Sequence, residues 1–225
     1  MKAGLIETRS LSEQVYQVLC SRIIEGSIRY GDSLNIKRIA ESLHVSSMPV
    51  REAVKRLENE GLVAIKPRST CVVKPPTKQS ILNALEMREI LELYCIDRIT
   101  PGVGEEDVAR LRSIVERMKD VVDGAPAEEG PRGYIVLDSQ FHTAVCSLAR
   151  NEYVDKAYRE VGLHLSMQYI YDIGVPPDNA RTCREHLELL DALARRSPAA
   201  LSCMKKHLQQ SRRNIMEGRL FASLS

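Results

Sequence analysis

The hydrophobic positions of this chain mostly fall three or four residues apart, the spacing that lines one face of a helix. In the first third of the chain this pattern predicts helices over about 11–25, 35–43 and 47–60. The glycines of "EGSIRYGD" mark the turn after the first helix, and Gly61 stops the third. Two apolar groups, "LVAI" at 62–65 and "TCVV" at 70–73, then flank the polar "KPRS" and predict a small hairpin. Helix, helix, turn, helix and hairpin in that order describe a winged helix-turn-helix.

A seam follows at "VVKPPTKQS", 72–80, where Pro75-Pro76 ends the strand and cannot continue into a helix. Beyond it the helical spacing returns and predicts helices near 78–100, 104–123, 131–149, 152–172, 179–196 and 198–218. Pro101-Gly102, Gly124-Ala125-Pro126, Asn151 and "GVPPDN" at 174–179 punctuate them. Ser197-Pro198 reads as an N-cap followed by proline at the first helical position. The expected fold is mainly α: a winged helix-turn-helix over 1–76, then an all-α antiparallel helical bundle over 77–225.

Composition agrees with this and adds little, since 4% aromatics and no Trp favour helices over sheets. Charge adds more. Residues 1–76 carry 12 Lys and Arg against 8 Asp and Glu, whereas residues 77–225 carry 20 against 22. A basic first third on a mildly acidic remainder points to a polyanion as the partner of the first domain. "MKAGLIETRSLSEQ" lacks the apolar core of a signal peptide, and no apolar run reaches 18 residues. The six cysteines are scattered with no CxxC pair, which suggests reduced thiols and a cytoplasmic location.

The third helix carries the first candidate site. In "VSSMPVREAVKRLENEGLV", 45–63, Val50, Ala53, Val54 and Leu57 follow the i, i+3, i+4, i+7 rule and face a core. Ser46 is placed to cap the helix, and Pro49 sits in its first turn, where a missing N–H costs nothing. The opposite face presents Ser47, Met48, Arg51 and Lys55, with Lys37, Arg38, Lys66 and Arg68 around it. Hydroxyls and amides suit DNA phosphates, and arginine suits guanine O6 and N7 in the major groove. The competing reading makes Arg51, Lys55 and Arg56 a solvated face paired with Glu52, Glu58 and Glu60.

The stretch from Leu11 to Val63, above all "VSSMPVREAVKRLENEGLV", resembles the GntR family of bacterial transcription regulators. The resemblance implies a reading helix and wing that bind a short palindrome as a homodimer. This chain departs from the family at Tyr30, where proline is usual, at Ser47, where arginine is frequent, and at Ser69, where the wing usually has glycine. Ser47 removes one expected base contact, so the operator sequence does not carry over.

A second constellation begins at "DSQFH", 138–142. Asp138 and His142 share a helix face one turn apart, which suits either a metal ion or a hydrogen bond between them. The chain has only five histidines, and His186 in "REHLELLDAL" and His207 in "MKKHLQQ" fall on other predicted helices of the bundle. A bundle aims side chains from several helices into its interior. One carboxylate and three imidazoles would suit Zn²⁺ first, and also Ni²⁺, Fe²⁺ or Mn²⁺. Arg88, on a stripe with Ile81, Leu85 and Cys95, either grips a carboxylate ligand or pairs with Glu92 at i+4. His164 and Gln168 are candidates to line the same cavity, with a satisfied core or surface histidine as the other reading of His164, while Cys183 and Cys203 read as small core fillers.

"DSQFH", "EHLELLDAL" and "MKKHL" are similar to the FCD ligand-binding domain of the FadR-type branch of the family. Metal-binding members of that branch use an Asp and three His in this order. The resemblance implies a regulator whose metal keeps open positions that a small organic acid occupies, with Pro75-Pro76 as the movable joint. Two alternatives stand beside it: a metalloenzyme fused to a DNA-binding module, and a purely structural metal. No general base, nucleophile or phosphate-binding motif lies beside the ligands, which argues against an enzyme.

Overall fold

A computed structural model describes residues 10–24, 27–66, 70–124, 133–171, 178–218, 221–222 and 224, with side chains left out at 24, 66, 70 and 163–171. The chain divides into two compact units, Met1–Pro75 and Pro76–Ser225.

In the first unit α1 (Leu11–Ile24), α2 (Ile36–Leu43) and α3 (Ser47–Asn59) accompany a three-stranded sheet. Strand β3 (Thr70–Val73) lies between β2 (Val63–Lys66) and β1 (Ser33–Leu34), both antiparallel to it. The two-residue β1 was not among the elements expected from the sequence, because two residues are too few to show a period. Gly31, at φ 84, makes the turn that delivers it, and its N–H donates to the Val73 carbonyl.

Val50, Ala53, Val54 and Leu57 are all buried, as their spacing requires, and α3 packs by this face against α1. Val15, Leu19 and Ile23 supply the α1 side of that core. The turn between α2 and α3 runs through His44 in the left-handed region at φ 54, its N–H returning to Ala40 and Glu41 carbonyls. Asn35 caps α2 by accepting from the Arg38 N–H at 3.0 Å. Ser46 stands at the N-cap position of α3 but its side chain makes no capping bond. Its part in starting the helix is positional only, and Pro49 in the first turn lowers the number of N–H groups needing a cap.

The second unit holds α4 (Lys78–Ile99), α5 (Glu105–Val122), α6 (Gly133–Ser147), α7 (Glu152–Tyr171), α8 (Asn179–Ala194) and α9 (Ala199–Glu217). Thr77 and Ser80 form a reciprocal capping box at the start of α4. α9 begins one residue later than the Ser197-Pro198 signal suggested: Pro198 takes the N-cap position, and Ser197 Oγ still accepts from the Ala199 N–H at 3.3 Å. The packing order closes on itself, α4 on α7, α7 on α6, α6 on α5, α5 on α8, α8 on α9 and α9 on α4. α4 also touches α6 across the ring. Phe141, Leu137, Leu189, Leu193 and Met204 are fully buried at its centre. Among the described residues no helix is long and apolar enough to cross a membrane.

Candidate functional site

The charged face of α3 divides into two kinds of residue. Arg56 ion-pairs with Glu13 of α1 and with Glu60 at 3.1 Å, and its guanidinium lies 3.7 Å over the Tyr16 ring. Tyr16 in turn donates its hydroxyl to Glu60 at 2.7 Å. This arginine ties α3 to α1. Lys55 pairs with Glu58 at 2.6 Å on the surface, a contact worth little in water. Arg51 is exposed and, among the described residues, has no ion-pair partner. Of the three cations in the competing reading, then, two are paired and Arg51, among the described residues, is not.

Met48, Arg51 and Lys55 are exposed, Ser46 is exposed and Ser47 half-buried, and Lys37 and Arg38 are exposed on α2. Arg51 and Lys55 line a groove of about 550 Å³ with Ile36, Ile65 and Cys71, between α3 and the hairpin. Arg68 and Ser69 lie outside the described residues, and so does the side chain of Lys66.

In the second unit His142 of α6, His186 of α8 and His207 of α9 converge, all buried, with ligand nitrogens within 4.8 Å of one another. His207 Nε2 lies 3.2 Å from His142 Nε2 and 3.4 Å from His186 Nε2. Two nitrogens sharing a tetrahedral ion at ~2.0–2.1 Å stand roughly 3.3 Å apart. Asp138 Oδ1 reaches the rim of this cluster, 3.9 Å from both His142 Nε2 and His186 Nε2. At that distance Asp138 and His142 share no hydrogen bond.

The carboxylate that does bond His142 is Glu92, on α4. Its Oε2 accepts from His142 Nδ1 at 2.7 Å, and its Oε1 accepts from Arg88 Nε at 2.6 Å and from the Tyr158 hydroxyl at 2.7 Å. Glu92 is completely buried. Burial alone would raise its carboxyl, but His142 and Arg88 outweigh burial and hold it well below the usual carboxylate range. Burial pushes His142 down against the pull of Glu92. His186 is pushed down further, by burial and then by His207, His142 and Arg88. Both shifts favour the neutral imidazole, the form that ligates a metal ion.

His207 Nδ1 lies 3.0 Å from Glu185 Oε2, so a second carboxylate backs a second imidazole. Among the described residues His186 Nδ1 is buried without a hydrogen-bond partner, and its ring stacks on Phe141 at 4.2 Å. Arg88 faces inward and pairs with Glu92, the i, i+4 alternative of its sequence reading. The side chains of His164 and Gln168 lie outside the described residues. Cys183 is buried and Cys203 half-buried, and neither belongs to the histidine cluster. Glu92, Tyr158 and Glu185 were missed as site residues. The available signal for Glu92 was its place on the apolar stripe of α4, and for Glu185 its position beside His186.

Three imidazole nitrogens facing one another, with an aspartate at the edge, can hold a metal ion. The winged helix-turn-helix of the first unit defines a DNA-binding class of protein, and the second unit adds a buried histidine cluster. Residues 11–73 match the family described as bacterial regulatory proteins, gntR family, and residues 83–210 match the FCD domain. The chain belongs to the GntR family of bacterial regulatory proteins, with an FCD domain after its DNA-binding domain. It is a transcription regulator rather than an enzyme.

Its relatives include the HTH-type transcriptional repressor RspR of Escherichia coli strain K12, 24% identical over 96% of this chain and 94% of that protein. The gluconate operon transcriptional repressor of Bacillus subtilis strain 168 is 28% identical over 71% of this chain and 63% of its own. Among solved structures, E. coli McbR/YncC superposes with a TM-score of 0.81 at 21% identity, covering 93% of this chain and 99% of its own. A GntR regulator from Rhodococcus sp. RHA1 gives 0.76 at 25% identity, covering 91% and 97%.

Proposed function

We propose that this regulator binds a palindromic operator as a homodimer and that a small organic acid controls its affinity through a metal ion in the C-terminal bundle. Residues 1–76 would read DNA through Arg51, with Lys37, Arg38, Ser46, Ser47, Met48, Lys55, Lys66 and Arg68 as further groove or phosphate contacts. Residues 77–225 would hold the ion through Asp138, His142, His186 and His207. When bound, such an ion supplies a cationic centre that a carboxylate can ligate, and Zn²⁺ suits the three-nitrogen, one-oxygen donor set first. Arg88, buried in the same network, and His164 and Gln168 are the proposed effector contacts.

The convergence of three buried imidazoles on one point carries this reading. For the dimer, the support is an exposed apolar stripe on α4, formed by Met87, Ile90 and Tyr94 at helical spacing.

The test is elemental analysis of untagged protein, wild type and His142→Ala, beside a thermal-shift screen of metabolic carboxylates with and without chelator. The wild type takes up one ion per chain and the variant does not, and chelation lowers wild-type stability but not that of the variant. An acid that stabilises the protein does so only when metal is present. Equal metal content in the two proteins, or none in either after reconstitution, sinks the reading.

A further inference from the structure

We propose that Glu92 and Glu185 are positioning residues, which hold the His142 and His207 imidazoles in the tautomer whose Nε2 lone pairs face the centre of the cluster before any ion arrives. This rests on the metal reading above and deepens it.

The contacts around Glu92, a buried carboxylate ion-paired with Arg88, support the assignment. Arg88 Nε and the Tyr158 hydroxyl both donate to Oε1, and an ionised carboxylate can only accept. The proton in the 2.7 Å contact with Oε2 therefore sits on His142 Nδ1. A neutral imidazole carries one N–H, so His142 Nε2 is left with a bare lone pair. The 3.0 Å contact from His207 Nδ1 to Glu185 Oε2 has the same consequence for His207 Nε2. The two Nε2 atoms stand 3.2 Å apart, two acceptors at hydrogen-bond distance with no proton between them.

That arrangement is unfavourable for the metal-free protein, because two lone pairs face each other at 3.2 Å and only His186 Nε2, 3.4 Å from His207 Nε2, is placed to donate to either. It becomes favourable when a cation accepts both lone pairs. The carboxylates also make the imidazoles more basic and fix their planes, which strengthens ligation. The elements divide the work. α4 supplies Glu92 to a histidine of α6, and α8 supplies Glu185 to a histidine of α9. The adjacent Glu185 and His186 point to different tasks, one backing His207 and the other presenting its own Nε2. Among the described residues no carboxylate bonds His186 Nδ1, and its ring takes its orientation from the stacked Phe141 ring.

The experiment uses the full-length chain, metal-free, with ¹⁵N-labelled histidine. Long-range proton–nitrogen spectra read the tautomer of each imidazole, and Zn²⁺ titration against a competing chelator reads affinity. In the wild type, His142 and His207 carry their proton on Nδ1. Glu92→Gln loses that preference at His142 alone, Glu185→Gln at His207 alone, and each weakens Zn²⁺ binding about 10- to 100-fold. Tyr158→Phe removes a donor from the same buried network but leaves the Oε2 contact, so it lowers thermal stability while keeping the tautomer and the affinity. If Glu92→Gln fails to fold, Glu185→Gln and the wild-type spectra still decide.

Protons on Nε2 in the metal-free wild type overturn the proposal, as does wild-type affinity in folded Gln variants. A wild type that binds no Zn²⁺ overturns the metal reading itself, which is a different result.

Discussion

Arg51 and Arg56 lie five positions apart on α3 and have different surroundings, so they serve as a matched pair of probes. Arg56 is engaged by Glu13, Glu60 and the Tyr16 ring, while Arg51 is exposed with no ion-pair partner among the described residues. Arg51→Ala should leave thermal stability nearly unchanged and remove ~1–3 kcal/mol of discrimination between operator and random DNA. Arg56→Ala should lower the melting temperature and weaken operator and random DNA together. Competition binding at fixed salt separates them, and equal loss on both DNAs for Arg51→Ala rejects its role as a base reader.

The buried imidazoles make a second prediction at this scale. His142 and His186 have folded-state values below that of an unfolded imidazole, about 6.5. On acidification the unfolded chain takes up protons first, so the metal-free protein loses stability as the pH falls through about 6.5 towards the folded values. Glu92, also held low, adds a loss in the same direction below the ordinary carboxylate range. A melting temperature that stays flat between pH 7.5 and 5.5 after chelation contradicts this.

Helix α4 brings these residues together with an opposite surface. Arg88, Glu92 and Cys95 lie on its buried side, whereas Met87, Ile90 and Tyr94 are exposed on another. If that second side meets another copy, Ile90→Glu should raise the dimer dissociation constant roughly 30-fold, the ~2 kcal/mol of a central contact. Light scattering across micromolar concentrations reads it, and an unchanged dimer moves the interface elsewhere. The elements themselves were legible from periodicity and punctuation, because helices of this length show their apolar stripe many times over. Strand β1, Ser33–Leu34, was not, since pairing with β3 rather than any local pattern creates it. The histidines were legible because they are rare and fall on separate helices. Glu92 and Tyr158 were not, since their contacts to His142 and to each other span 50 and 66 residues. Only the packing of α4 and α7 on their neighbours makes those contacts. Asp138 shows the converse: helical spacing placed it correctly beside His142, yet spacing could not tell that another carboxylate would take the hydrogen bond.

For the whole molecule, the proposed control by an organic acid is measured by a coupling free energy between acid and operator. An acid controls DNA binding only if it distinguishes two arrangements of the regulator, and the coupling is then reciprocal. Couplings of this kind are typically ~1–3 kcal/mol, about 5- to 150-fold in affinity. An acid that raises the melting temperature of the metal-loaded protein should therefore change operator affinity by a factor in that range. Saturating operator DNA should change the affinity for the acid by the same factor and in the same direction. Chelation should abolish both effects together, while leaving part of the DNA binding, because the first unit has a hydrophobic core of its own. Calorimetric titration of the acid with and without operator, matched to DNA binding with and without acid, measures the two factors independently. Unequal factors would mean that acid and operator are not acting on one equilibrium. A shared factor of one would leave the acid a ligand of the bundle with no regulatory effect.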